Sequence, residues 1–94
     1  MKLIAPNAEI LELLVIAFND SVADLDNTID VDGLTISLDM VELDMMIDGL
    51  DYKILMNDKL FRGPEVLVVR EQLMQTFNKA NPYLTVHLKG DANG

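Results

Sequence analysis

Twelve carboxylates lie between Lys2 and Lys53 of this 94-residue chain, and no Lys, Arg or His lies among them. They are Glu9, Glu12, Asp20, Asp24, Asp26, Asp30, Asp32, Asp39, Glu42, Asp44, Asp48 and Asp51. Side chains of this type can hold a divalent cation, exchange protons in pairs, or present fixed negative charge to a basic surface. Each of these chemistries demands its own spacing and its own neighbours.

Cation binding is tested by the run from Asp24 to Gly33. With Gly33 at the invariant sixth position of a helix–loop–helix calcium loop, Thr28, Asp30 and Asp32 occupy positions one, three and five. Asp39 then stands where a bidentate Glu is required, Thr35 stands at the hydrophobic eighth position, and the flanks alternate as strands. The loop does not fit, and no metal is assigned. Proton transfer and nucleophilic chemistry fare no better. His87 is the single histidine, cysteine is absent, and neither Ser21 nor Ser37 sits in a nucleophile elbow. Carboxylate pairs arise by chance in so acidic a chain, and no Gly-rich phosphate loop is present. The expectation is a protein that is not an enzyme, with no catalytic residues and no cofactor.

The third chemistry fits the distribution of charge. The net charge is −9, whereas from Lys53 onward four acids face six bases. The field therefore has a direction. It repels nucleic acid and anionic membrane and attracts basic protein surfaces. Half the residues are apolar and mean hydropathy is positive, so the chain has the aliphatic content to fold, unlike a disordered acidic tail. The apolar run over residues 10–18 is broken by Glu12 and too short to span a bilayer, and the N-terminus lacks a signal-peptide pattern. One cytoplasmic α+β domain over residues 1–89, with a flexible tail at 90–94, is expected.

Local signals divide that domain. Pro6 and Asn7 open a first helix that is apolar nearly all round, so that it must be covered by other elements or by another chain. From Ile29 the period becomes two, and Asp32-Gly33 marks a hairpin before Leu34, Ile36, Leu38 and Met40. At Met40-Val41 the phase flips, and a bulge would keep Val41, Leu43, Met45 and Ile47 on the same face. Asp48-Gly49 repeats the hairpin signature before Leu50, Tyr52, Ile54 and Met56. A helix over residues 38–47 capped by Ser37 is the competing reading, but Asp39 and Glu42 then fall far from Asp44, Asp48 and Asp51 and no single wet face results. A three-stranded antiparallel meander is therefore expected. Gly63-Pro64 opens a further helix with the stripe Val66, Val69, Leu73 and Phe77. Asn81-Pro82 ends it, and residues 83–89 alternate as a last strand. The order is α-β-β-β-α-β, with helices on one sheet face and an acidic opposite face.

On that sheet Asp39, Glu42, Asp44 and Asp48 would project from one long strand, with Asp30 and Asp32 beside them. Same-face residues repeat at about 6.6–6.8 Å, close to the ~7 Å between neighbouring phosphates on one strand, about two base-pair rises in length once backbone tilt is allowed for. Met46 would interrupt the acids as an exposed apolar anchor. The plain alternative is a solvated face on which salt screens the repulsion. The functional expectation is a small acidic inhibitor or adaptor that docks on the basic surface of a nucleic-acid-binding protein, in the manner of a nucleic-acid mimic. Phages use short acidic domains of this kind against host defence, which would place the protein in the host cytoplasm. The second expectation is an assembly subunit forming a homo-oligomer through its apolar first helix, its acidity serving solubility.

Overall fold

A computed structural model describes residues 1–22 and 29–90, and all element assignments refer to those residues. The chain forms a small α+β domain in which three α-helices accompany a four-stranded mixed sheet. Its elements are β1 (Lys2–Ile4), α1 (Ala8–Ser21), β2 (Asp30–Asp32), β3 (Thr35–Ser37), α2 (Met40–Leu55), a 3-10 turn (Lys59–Phe61), α3 (Pro64–Lys79) and β4 (Thr85–His87). The sheet order is β2-β3-β1-β4, with β1 antiparallel to β3 and parallel to β4. The tail residues 91–94 lie outside the described part, as do Asp24 and Asp26.

The N-terminal segment, to which the sequence pattern assigns no element, is an interior strand. Leu3 is fully buried and pairs with Ile36 on one side and Val86 on the other. The adjacent rows of side chains, Asp30-Ser37-Lys2-Thr85 and Asp32-Thr35-Ile4-His87, point to the opposite face, where none of them is buried. The helices thus cover one face, as a half-buried sheet requires. The first hairpin is where Asp32-Gly33 puts it, with a shift of one residue. Asp32 pairs with Thr35, so Gly33 and Leu34 are the central residues, and only Gly33 has positive φ, +60°. Glycine at the first central position with an ordinary second residue is the signature of a type II′ turn rather than type I′.

α1 begins as expected, with the Ile10 N–H donating to the Asn7 side-chain oxygen at 2.9 Å. Its face of Ile10, Leu13, Leu14, Ala17 and Phe18 is buried within the chain. α3 also matches its signals. Pro64 sits in the first turn, Val66, Val69 and Leu73 are buried, and Ala80 ends the helix in the left-handed conformation. Gln72 then ties the end of the sheet to α3. Its amide donates to the Lys89 carbonyl at 3.0 Å and its oxygen accepts from the Lys89 N–H at 2.9 Å.

The meander is overturned. Residues 40–55 are one α-helix, so the element order is β-α-β-β-α-α-β and the long acidic strand does not exist. Asp39 is not in the helix, so it does not count on the helical wheel. It is the N-cap, with extended backbone. Without it, Leu43, Met46, Ile47 and Leu50 form a stripe of about 100° facing the core, which is amphipathic helix spacing. Ending the trial helix at Ile47 also hid Leu50, the residue that completes the stripe.

Gly49 is the reason a turn-like Asp-Gly sits inside a helix. A Cβ built there would lie 2.0 Å from the Ala17 carbonyl oxygen, so the backbones of α1 and α2 touch at this point. Gly49→Ala should destabilise the domain by about 2–3 kcal/mol in urea unfolding, because overpacking outweighs the gain of about 1 kcal/mol in helix propensity. An unchanged midpoint would show that the helices are not in backbone contact.

Candidate partner-binding site

The seven residues expected on one sheet face are distributed by the structure over three places and the core. Asp30 and Asp32 are exposed on β2, an edge strand. Asp39 and Glu42 form a reciprocal capping box. The Glu42 N–H donates to Asp39 Oδ1 at 2.8 Å, and the Asp39 N–H donates to Glu42 Oε1 at 2.9 Å. These two carboxylates hold the start of α2, where the helix dipole favours negative charge. The signal was present as Asp39-x-x-Glu42 just ahead of an apolar run, and the alternation of the preceding strand concealed it. Met46 is 0% exposed and belongs to the core, so it cannot be an apolar anchor for a partner.

Asp44 and Asp48 are the two that remain together on an open surface. At 100° per residue, Val41, Asp44, Asp48, Tyr52 and Leu55 fall within roughly 80° of one another on α2. All five are exposed, with Val41 at 63% and Tyr52 at 58%. The stripe lies opposite the buried Leu43, Met46, Ile47 and Leu50, so the packing that covers one side of α2 exposes the other. Carboxylates one helical turn apart are separated by about 6 Å along the axis. Tyr52 and Val41 are the apolar residues that sequence reasoning missed, since strand alternation had put them on the core side.

Neighbouring bases do not neutralise this stripe. Arg70 is held by Asp51 at 2.5 Å, and Lys53 bridges Asp20 and Asp58. No ion pair to Asp44 or Asp48 occurs among the described residues, and residues 23–28 and 91–94 contain no Lys, Arg or His. Between the end of α1 and the middle of α2 a cleft of about 410 Å³ is lined by Asp20, Ser21, Asp48, Gly49 and Tyr52. Partial desolvation at the cleft raises the Asp48 carboxyl above its ordinary value, and the charges of Asp44 and Asp51 push it in the same direction. Like charges at i and i+4 oppose helix formation, so the arrangement is not one that stability alone favours. No group of three or more His, Cys, Asp or Glu among the described residues is placed to hold a metal ion. None of their helices is long and apolar enough to cross a membrane.

Two substitutions separate structural from surface carboxylates. Asp39→Ala should cost about 1 kcal/mol of stability in denaturant unfolding through loss of the cap. Asp48→Asn should do the opposite at neutral pH. Folded Asp48 binds its proton more tightly than the unfolded chain does, so its charge works against folding above the folded pKa and does nothing below the unfolded one. The melting temperature of Asp48→Asn should therefore exceed that of the parent at pH 7, and the difference should vanish as the pH falls below the usual carboxylate range. A difference that persisted there would assign the effect to something other than charge.

Comparison of the chain with models of protein families, with curated proteins and with solved structures finds no match.

Proposed function

We propose that this protein is a non-enzymatic binding module that docks the exposed stripe of α2 on a basic surface of a protein partner. The observation that carries the reading is the composition of that stripe. Asp44 and Asp48 make no ion pair among the described residues, and Val41 and Tyr52 stand exposed beside them. Charge steers encounter and sets its salt dependence, while desolvated apolar and aromatic groups hold the complex. A solubilising surface needs the first property and gains nothing from exposing Tyr52 beside Asp48.

A nucleic-acid-binding protein is the partner class with the matching surface, because its basic groove is shaped to receive rows of negative charge. Helical carboxylates, not a strand ladder, would provide the mimicry, and an inhibitor of such a protein is the role that follows. Asp30 and Asp32 add to the long-range field from β2. Asp39 and Glu42 contribute charge, but their geometry serves the helix.

For the second reading, a homo-oligomer through α1, Ile10, Leu13, Leu14, Ala17 and Phe18 are covered within the chain, so such a contact would have to use the half-buried Leu11, Val15 and Ile16. That helix was read as over-apolar because its sequence does not say how many elements surround it.

The test is retention of host proteins on the immobilised chain at low salt, compared with the Asp44→Lys, Asp48→Lys double variant. A basic partner should be retained by the parent and released by salt. Its affinity for the double variant should fall at least about tenfold, as loss of two interfacial charges predicts, and its salt dependence should flatten. Competition by duplex DNA for the retained protein checks the mimicry. Equal retention by parent and double variant would remove the α2 stripe from the interface.

A further inference from the structure

The cleft beside the α2 stripe offers more than negative charge. Asp48 and Tyr52 line it one helical turn apart, and Gly49 places no side chain between them. Asp20 and Ser21, in the last turn of α1, bound it from the other helix. Its volume of about 410 Å³ lies within the roughly 300–1,000 Å³ of pockets that take small organic groups. The final carbonyls of a helix lack intrahelical donors, and that end of its dipole favours a cation. α1 has no basic residue in its last turn.

Charge selects a cation for this cleft. The nearest base in sequence is Lys53, whose ammonium is held between Asp20 and Asp58 and lies 5.9 Å from the centre of the Phe61 ring. It therefore neutralises Asp20 and leaves Asp48 without an ion pair among the described residues. The partial desolvation that raises the Asp48 carboxyl also strengthens its attraction for a cation placed there. A protein partner can supply two kinds. Lysine brings a compact, strongly hydrated ammonium. Arginine brings a planar, weakly hydrated guanidinium that donates two parallel hydrogen bonds to a carboxylate and stacks on an aromatic ring. A carboxylate and a phenol ring one turn apart fit the second.

We propose that the cleft between α1 and α2 receives an arginine side chain of the basic partner. The guanidinium pairs with Asp48, lies against the Tyr52 ring and turns its remaining N–H groups toward the carbonyl end of α1. The inference rests on the docking role of the α2 stripe and narrows it from charge in general to one side-chain chemistry. Asp44, one turn ahead of Asp48 on the same stripe, then acts at longer range as part of the steering field.

Titration of the isotope-labelled full chain with oligoarginine and oligolysine peptides of equal length separates guanidinium recognition from bulk charge. Oligoarginine should bind at least about fivefold more tightly, as a cation–π contact predicts, and should shift the amide signals of Ser21 and Gly49. Tyr52→Leu should erase that preference while keeping the apolar bulk, and Tyr52→Phe should retain it. Asp48→Asn should weaken oligoarginine more than oligolysine, with circular dichroism unchanged. Equal affinity of the parent for the two peptides would overturn the inference, as would shifts that avoid Ser21 and Gly49. If both peptides bind equally and both are weakened by Asp44→Lys with Asp48→Lys, the stripe docks by charge alone and only the arginine assignment is lost. An arginine preference that depends on Tyr52 upholds the cleft even where no host protein is retained.

Discussion

The contact between the backbone of Ala17 and Gly49 organises this protein. No side chain fits between α1 and α2 at that point, so the helices are drawn together and the flanking residues interdigitate. Leu13, Leu14 and Phe18 on one side and Leu43, Met46 and Leu50 on the other are buried together as a consequence. That packing fixes the rotation of α2 about its own axis. Once Leu43, Met46, Ile47 and Leu50 face inward, Val41, Asp44, Asp48, Tyr52 and Leu55 must face outward. The candidate binding stripe is thus a geometric consequence of a glycine that touches a neighbouring helix.

The sheet plays a supporting part. Leu3, on the interior strand β1, is buried among the helices, and its neighbours in register extend the apolar layer to Ile36 and Val86. Every strand has only three residues, too few to stand without the helical layer. Two of the seven Lys and Arg residues lie where they relieve local repulsion. Lys53 joins α2 to the end of α1 and to the turn that follows α2, and Arg70 joins α3 to α2. These pairs link helices, and they leave Asp44 and Asp48 on the outward face of α2 without an ion pair among the described residues. Exposed pairs of this kind contribute little to stability individually, so their weight lies in where they leave charge uncompensated.

Much of the fold could be read in the chain because its signals are local. Asn7 caps α1, Gly63-Pro64 starts α3, Asn81-Pro82 ends it, Asp32-Gly33 turns the hairpin, and residues 83–89 alternate around β4. Each depends on backbone geometry within a few residues. The second helix was misread because two periods meet at Asp39. The alternation of β3 runs on through Leu38 and Met40, and Asp39 looks like the next outward residue of a strand while acting as a helix cap. The same chemistry misled at Asp48-Gly49, where a glycine needed for close helix packing resembles one needed for a turn. β1 went unseen because three residues carry too little pattern to announce a strand.

The candidate site divides along the same line. The sequence by itself determined that the first half of the chain is acidic and without bases, that cysteine and nucleophile motifs are missing, and that two of its helices and its first hairpin lie where they do. Composition and short-range dihedral preference suffice for that. Only the tertiary structure decided which carboxylates share a surface, that Met46 is core, and that Val41, Tyr52 and Leu55 are exposed. Those facts depend on how α2 is rotated against α1, and that rotation is set by a contact between residues 17 and 49, which no local pattern encodes.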